Sequence, residues 1–405
     1  MKDIFRDLLS SSKIFKNKEV LRPSYIPNFL PHREKQIKEL ASVLVPSLRG
    51  ETPSNVFIYG KTGTGKTAVV TFTGKKLVDK GKEMNVPIHF IYINCEIVDT
   101  QYRILQNIAN HFIKGWNERV PFTGWPTDEV YSRLINSIDK ARGVTIIVLD
   151  EVDKVKGDEV LYNLSRINND LKEGKASVIG ISNDLKFTEF LDPRVKSSLG
   201  EENLVFPPYT ADELRDILNE RAKIAFNENV IEDAVISLCA AKAAQEHGDA
   251  RRALDLLRVS AEIAERLGED KVLEKHVKIA ESKIELDRIT EIIRTLPLQS
   301  KLVLMGAIIG IQVYEDLTTG DLYTIYRDLC REGGYNILTQ RRVADIISEL
   351  DMMGILNARV ISKGRYGRTR QIELSTPIKI KEILEKDASI PKLKNYKPKT
   401  QSRLI

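Results

Sequence analysis

The segment Gly60–Thr67 constrains the fold of this chain more than any other feature. It reads GKTGTGKT, which fits the pattern G-x-x-x-x-G-K-T. A short β-prone run, Asn55–Tyr59, precedes it, and a helix-like stretch follows towards Lys80. In this context the glycines let backbone amides surround phosphate groups, and the helix N-terminus adds a positive field. The sequence therefore predicts an α/β domain that binds a nucleotide.

Two residues of this loop have specific expected roles. Lys66 reaches the β- and γ-phosphate oxygens, and Thr67 is a ligand for Mg²⁺. A glycine-rich turn with an incidental lysine is the alternative, but the flanking elements and all fixed positions favour the phosphate-binding loop. The predicted nucleotide contacts are Gly60, Lys61, Thr62, Gly63, Thr64, Gly65, Lys66 and Thr67.

A second apolar run, Val144–Leu149, is typical of a buried parallel strand and is followed by Asp150 and Glu151. Ligands of α/β sheets bind at the carboxyl ends of the strands. We expect Asp150 to hold Mg²⁺ and Glu151 to polarise the water that attacks the γ-phosphate. A solvated loop is the alternative, and the upstream phosphate-binding loop favours the catalytic interpretation. The chain lacks the NKxD element of guanine-specific enzymes, so ATP is favoured over GTP.

Two further polar residues are candidates for the same site. Asn183 follows a third apolar strand, Ser177–Ser182, where its amide either orients the attacking water or opens a turn. Arg251 stands in the first turn of a predicted helix that Asp249 caps. A cation there opposes the helix dipole, and a nearby phosphate would relieve that conflict.

Composition excludes several protein classes. The 405 residues suffice for two to four domains. The longest apolar run, Leu302–Ile311, is far shorter than the ~20 residues that cross a bilayer. The three cysteines lack disulfide or zinc spacing, and the N-terminus lacks a signal-type apolar region. We expect an intracellular protein without a membrane span.

The last hundred residues follow a different pattern. Helical runs over 301–311 and 321–331 precede a third helix over 338–350, and strands are predicted over 355–361 and 370–374. Helices followed by a glycine-punctuated hairpin predict a winged helix, whose third helix enters the DNA major groove.

Positive charge is concentrated in this region. Lys and Arg exceed Asp and Glu by only 62 to 57 overall, but residues 358–370 hold five basic residues and no acid. The hairpin is therefore expected to meet DNA phosphates or a minor groove, and the start of the third helix to read base edges. A winged helix used for protein contacts is the alternative. The predicted DNA contacts are Thr339, Gln340, Arg341, Arg342, Lys363, Gly364, Arg365, Tyr366 and Arg368.

These motifs together resemble a known family. The P-loop, the strand ending in Asp150-Glu151, Asn183 and the segment around Arg251 resemble the Walker A, Walker B, sensor 1 and sensor 2 motifs of AAA+ ATPases. Segments 25–34, 124–131 and 191–199 are similar to those of archaeal replication initiators of the Orc/Cdc type. The resemblance extends from about residue 14 to 380. It implies an α/β P-loop AAA+ domain with a parallel sheet (1–209), a helical lid (210–290), a C-terminal winged-helix domain (291–385) and a basic tail (386–405).

The resemblance also implies roles for individual residues. Asn183 becomes sensor 1 and Arg251 sensor 2. An extra helix of the ATPase core, about residues 96–111, touches DNA in these initiators, with Tyr102 and Arg103 as candidates here. An amphipathic helix that buries Ile104, Leu105 and Ile108 would also account for this part of the sequence. In many relatives the arginine of a Ser-Arg pair reaches the nucleotide of a neighbouring subunit as an arginine finger. Here Ser197-Ser198 stands at the matching place, so only Arg194 or Lys196 could supply such a finger.

The expected protein is an ATP-dependent replication initiator with weak ATPase activity. The resemblance implies ATP or ADP and Mg²⁺ as cofactors, and double-stranded origin DNA, the MCM helicase and other initiator paralogues as partners. It implies a cytoplasmic location on the nucleoid. A branch-migration or clamp-loader-like motor and an ATP-switched transcription regulator are the alternatives.

Overall fold

The computed structural model describes residues 13–184, 186–199, 202–362, 368–375 and 380–385. The chain divides into two compact units, residues 1–280 and 281–405. Within the described ranges, no helix is both long and apolar enough to cross a membrane.

A five-stranded parallel sheet forms the centre of the first unit, in the order β2-β3-β4-β1-β5. Every residue of β3 is buried, as its uninterrupted apolar run requires. The neighbouring strands β3, β4 and β1 end at the same edge, which brings together the segments that follow them. The strands are β1 (Val56–Tyr59), β2 (Ile88–Asn94), β3 (Val144–Asp150), β4 (Lys175–Ser182) and β5 (Glu202–Val205).

Helices cover both faces of the sheet. Alternate residues of β3 enter two separate apolar clusters: Ile147 and Leu149 join one, and Ile146 and Val148 join the other. The predicted α/β architecture is therefore confirmed. The helices are α1 (Glu34–Leu44), α2 (Lys66–Glu83), α3 (Gln101–Phe112), α4 (Thr127–Ala141), α5 (Glu159–Ser165), α6 (Phe187–Phe190) and α7 (Pro193–Leu199).

Three helices follow the sheet and form a lid: α8 (Ala211–Ala225), α9 (Asp233–Gln245) and α10 (Ala250–Arg266). Helix α8 begins with a capping box between Thr210 and Glu213. Asp249 caps α10, as its position predicts, by accepting hydrogen bonds from the backbone amides of Arg251 and Arg252.

The N-terminal segment packs on this lid. The rings of Phe15 and Phe226 stack with centroids 5.3 Å apart. The backbone amide of Lys16 donates to the carbonyl of Ala225 at 2.8 Å. Arg221 donates to the carbonyl oxygen of Val20 at 3.1 Å. These contacts hold the segment that leads into residues 23–31, which line the cavity described below.

The second unit contains the predicted winged helix. Strands β6 and β7 are antiparallel, with Leu356 opposite Leu374 and Ser362 opposite Arg368. They pack with the helices around one apolar cluster. The predicted residues Lys363, Gly364, Arg365 and Tyr366 and the predicted tail, 386–405, lie outside the described residues. The remaining elements are α11 (Glu274–Thr295), α12 (Leu298–Val313), α13 (Thr319–Gly333), α14 (Gln340–Met352), β6 (Leu356–Ser362), β7 (Arg368–Leu374) and α15 (Ile380–Glu385).

Candidate functional site

The phosphate-binding loop connects β1 to α2 and needs glycine at its tightest points. Gly63 and Gly65 have φ angles of 74° and 89°, which side-chain-bearing residues rarely adopt. Gly65 is the N-cap of α2 and makes no side-chain cap hydrogen bond. The first backbone amides of α2 therefore have no side-chain cap and are suited to binding an anion.

Lys66 is buried at the base of this loop, with 5% of its surface exposed. Its ammonium donates to the carbonyl oxygens of Gly60 at 2.7 Å and Lys61 at 2.9 Å, and to Oδ1 of Asn183 at 2.7 Å. Burial lowers the pKa of Lys66 to about 8, and the nearby charge of Arg251 contributes to the shift. A bound phosphate would compensate this buried charge.

Asp150 lies beside the loop and is 6% exposed. Its Oδ2 accepts hydrogen bonds from the hydroxyls of Thr67 at 2.7 Å and Tyr92 at 2.6 Å. Its Oδ1 accepts from the backbone amide of Glu151 at 2.9 Å. Tyr92 was not predicted from the sequence, because only the pairing of β2 with β3 brings it here.

The oxygen atoms of Thr67 and Asp150 fit Mg²⁺, which prefers hard oxygen ligands. Among the described residues, no group of three or more His, Cys, Asp or Glu side chains could hold a metal by itself. A magnesium ion at this site would therefore depend on phosphate oxygens and water for its remaining ligands.

Glu151 follows β3 in a left-handed backbone conformation, with a φ of 55°. Burial and the charges of Glu96, Asp150 and Asp153 raise its pKa. A carboxylate with a raised pKa in a cleft suits a general base. Asp153, two residues further along, accepts hydrogen bonds from the Ser182 hydroxyl at 2.9 Å and from the backbone amide of Asn183 at 3.4 Å.

The lid contacts the phosphate-binding loop directly. The backbone amide of Ala250 donates to the carbonyl oxygen of Gly63 at 3.1 Å. A Cβ atom on Gly63 would lie 1.8 Å from Oδ1 of Asp249, so only glycine fits beneath this cap. The first turn of α10 thus lies against the loop, and Arg251 lines the same cavity as Lys66.

This cavity has a volume of about 340 Å³. Its lining includes Lys66, Thr67, Asp150, Glu151, Asn183 and Arg251, all of them candidate site residues from the sequence motifs. The lining also includes residues 23–31 and the lid residues Ile217, Ile224 and Leu254. The sequence does not reveal these additional lining residues, because they come from segments that are far apart along the chain.

Arg194, a candidate finger, lies on α7. It donates to both carboxylate oxygens of Asp192, at 3.2 and 3.0 Å, and its guanidinium lies 5.3 Å from the centroid of the Tyr162 ring. Its side chain is thus held by neighbours on its own chain.

The start of α14 presents the predicted DNA-reading residues to solvent. Thr339 caps the helix by accepting from the backbone amide of Arg342 at 3.4 Å. Gln340 and Arg341 are exposed. Arg342 is also exposed and forms an ion pair with Glu349 at 3.3 Å. Arg368 begins β7, and its side chain lies outside what the structure describes.

The two candidates on α3 make contacts within the same unit. The hydroxyl of Tyr102 donates to the carbonyl oxygen of Pro121 at 2.9 Å, and the guanidinium of Arg103 lies 6.0 Å from the Phe122 ring centroid. Helix α3 buries Ile104, Leu105 and Ile108, as the amphipathic pattern predicts, and Tyr102 packs against the same apolar cluster. The side chains of Tyr102 and Arg103 both remain partly exposed.

Three family models match consecutive parts of the chain. They are an AAA domain over residues 49–185, a Cdc6 AAA+ ATPase-type lid domain over 215–282 and the CDC6 C-terminal winged helix domain over 291–383. Each of the predicted ranges 1–209, 210–290 and 291–385 contains one of these matches.

Similar proteins cover the chain almost completely. The ORC1-type DNA replication protein 1 of Methanosarcina mazei is 57% identical over 409 residues, which cover 99% of this chain and 98% of that protein. The ORC1-type DNA replication protein of Pyrococcus horikoshii is 58% identical over 409 residues, covering 99% and 97%. Among solved structures, the Aeropyrum pernix ORC1 protein in complex with DNA matches with a TM-score of 0.82 and 48% identity, covering 95% of this chain and 100% of that chain.

Proposed function

The chain belongs to the ORC1-type, Cdc6-related family of DNA replication proteins, and we propose that it is an ATP-controlled initiator that binds origin DNA sequence-specifically. One observation carries this proposal. Phosphate-binding and hydrolytic groups converge on one cavity of the first unit, and the second unit exposes a polar and basic helix start. One unit therefore senses the nucleotide and the other reads DNA.

The cavity accommodates ATP in one orientation. The backbone amides of the phosphate-binding loop and the ammonium of Lys66 hold the phosphates. Residues 23–31 and the apolar lid side chains receive the base. Thr67 and Asp150 would hold Mg²⁺, which would neutralise charge on the phosphate oxygens. The same residues bind ADP after hydrolysis.

Hydrolysis is an in-line attack of water on the γ-phosphate. Glu151 accepts the water proton, Asn183 orients the water, and Arg251 stabilises the developing charge on the phosphate. Asn183 accepts a hydrogen bond from Lys66 and directly follows β4. A γ-phosphate that bonds to Lys66 would therefore change the contacts of Asn183 at the end of β4. Arg251 brings the lid onto the same phosphate, because α10 contacts the loop through Ala250.

We infer slow turnover, as in a switch rather than a motor. Many related motors complete their site with an arginine from the next subunit, whereas this chain has Ser197-Ser198 at the matching place. Arg194 is paired with Asp192 within its own chain. Hydrolysis then depends on the groups of one protomer.

DNA recognition rests on the winged helix. Thr339, Gln340, Arg341 and Arg342 meet base edges in the major groove, and Lys363, Gly364, Arg365, Tyr366 and Arg368 of the wing meet the backbone or the minor groove. The related Aeropyrum pernix ORC1 protein has been solved in complex with DNA. Tyr102 and Arg103 on α3 provide a second DNA contact. At an origin on the nucleoid, the protein acts with initiator paralogues and recruits the MCM helicase.

Replacing Arg341 tests the DNA-reading role. Arg341→Ala is expected to weaken binding to the preferred site by about 1–3 kcal/mol and to relax base preference at one position, because a base-reading arginine contributes this much. Fluorescence anisotropy with the preferred duplex and single-base variants measures both effects.

Arg288→Ala is the matched control, since Arg288 is an exposed arginine of the same unit that pairs with Glu285 on its own helix. Its affinity and base preference should equal those of the unmodified protein. Equal behaviour of Arg341→Ala and Arg288→Ala would contradict the proposed reading helix.

A further inference from the structure

Arg33 is a buried cation that the hydrolytic mechanism does not use. It stands directly before α1, and only 2% of its surface is exposed. Its Nε donates to the carbonyl oxygen of Thr64 at 2.9 Å, one terminal nitrogen donates to that of His32 at 3.0 Å, and the other to that of Pro207 at 2.7 Å. Its guanidinium also lies 3.7 Å from the centroid of the Tyr209 ring. Each of its three nitrogens thus has a backbone partner.

The bond to Thr64 fixes the direction of a phosphate-binding amide. The peptide between Thr64 and Gly65 is trans, so its C=O and N–H groups point in opposite directions. Arg33, which is not one of the residues lining the cavity, bonds to the carbonyl oxygen, whereas Gly65 lines the cavity. The amide of Gly65 is therefore held towards the cavity before any phosphate arrives.

Tyr209, which lines the cavity as well, packs against the same peptide. A Cβ atom on Gly65 would lie 2.7 Å from the Tyr209 hydroxyl and 3.8 Å from Nε of Arg33. The loop peptide is thus packed directly against the stacked pair of Arg33 and Tyr209. Rotation of this peptide would require both side chains to move.

Two other partners of Arg33 lie in the linker between the sheet and the lid. Pro207 and Tyr209 belong to the short connection from β5 to α8. The Tyr209 amide donates to the carbonyl oxygen of Gly248 at 3.3 Å, next to the cap of α10. Arg33 therefore bonds at once to the phosphate-binding loop and to the segment about which the lid would turn.

We propose that Arg33 is a positioning residue that presets the Gly65 amide for phosphate and couples the phosphate-binding loop to the sheet–lid linker. This inference rests on the proposed nucleotide function. It requires a guanidinium, because one planar group must donate in three directions while stacking on a ring. The ammonium of a lysine cannot reproduce that geometry.

Arg33→Lys tests the proposal through ligands that differ only in their phosphates. It is expected to weaken ATP and ADP binding by about tenfold, because the charge-assisted contacts that preset the loop are lost. Adenosine affinity is expected to stay within about twofold of that of the unmodified protein. Competition against a fluorescent ATP analogue measures all three affinities. Hydrogen exchange of residues 206–214 is expected to slow on ATP binding in the unmodified protein and to respond less in the variant.

Arg221→Lys is the matched control. Arg221 is 8% exposed, donates to the carbonyl oxygens of Val20 and Tyr25 at 3.1 Å each, and stacks on the Tyr25 ring at 4.8 Å. These partners belong to the N-terminal segment, whose residues 23–31 are proposed to receive the base. Arg221→Lys should therefore change ATP affinity and adenosine affinity by the same factor. If Arg33→Lys does not fold, Tyr209→Leu removes the stacking partner and is expected to reduce phosphate affinity in the same selective way.

The outcomes separate the two proposals. Equal factors for ATP and adenosine in Arg33→Lys, or in Tyr209→Leu where that variant is used, would overturn the positioning role. Failure of the unmodified protein to bind ATP would instead overturn the nucleotide function itself.

Discussion

Lys66→Ala is expected to lower ATP affinity by about a hundredfold, because a buried ammonium makes charge-assisted hydrogen bonds with phosphate oxygens that alanine cannot replace. Its affinity for origin DNA should remain within about twofold of the unmodified protein, since Lys66 and the winged helix belong to separate units and such sites contribute independently. Nucleotide binding is thus expected to be lost while DNA binding is kept.

Calorimetric titration with ATP and anisotropy with origin DNA measure the two affinities in one preparation. Lys75→Ala is the matched control, because Lys75 is exposed on the same helix α2. It should change neither affinity. Loss of DNA binding in a folded Lys66→Ala protein would contradict the division of function between the units.

Glu151→Gln is expected to slow ATP hydrolysis by about 10²–10⁴-fold while ATP binding persists, since a positioned general base contributes a factor of this size. Glutamine keeps the shape of the side chain but cannot accept a proton from water. The raised pKa of Glu151, caused by burial and neighbouring acids, makes its carboxylate a stronger base than an exposed glutamate.

Single-turnover hydrolysis of radiolabelled ATP measures the effect, with and without duplex DNA. Glu159→Gln, an exposed glutamate at the start of α5, should hydrolyse ATP at the unmodified rate. Fast turnover of the unmodified protein that DNA stimulates further would favour a motor. Equal rates for Glu151→Gln and the unmodified protein would remove Glu151 from the catalytic role.

The features that could be predicted from the sequence are those set by local chemistry. The glycine pattern of the loop, the buried run of β3 and the caps of α10 and α14 each depend on a few neighbouring residues. Asp249 and Thr339 accept backbone hydrogen bonds two or three residues ahead, as such caps do. The cluster of Lys66, Asp150 and Asn183 could also be predicted, because the carboxyl ends of parallel strands meet at one edge of the sheet.

The features that sequence reasoning missed depend on distant contacts. Arg33 and Pro207 are 174 positions apart, and Tyr92 and Asp150 are 58 apart. Segment 25–34, which contains Arg33, resembles the matching segment of the family, but the role of Arg33 depends on the linker and the loop that pack around it. Tyr92 reads as an ordinary aromatic residue of an edge strand until β2 is placed beside β3.

The most direct test of the account is footprinting of the protein, with ATP present, across the genome of its source organism. If the protein is an initiator, it is expected to protect replication origins. Arg341→Ala should weaken that protection, whereas Arg288→Ala should not. Protection at scattered promoters, with origins unprotected, would contradict the initiator function and favour a transcription regulator.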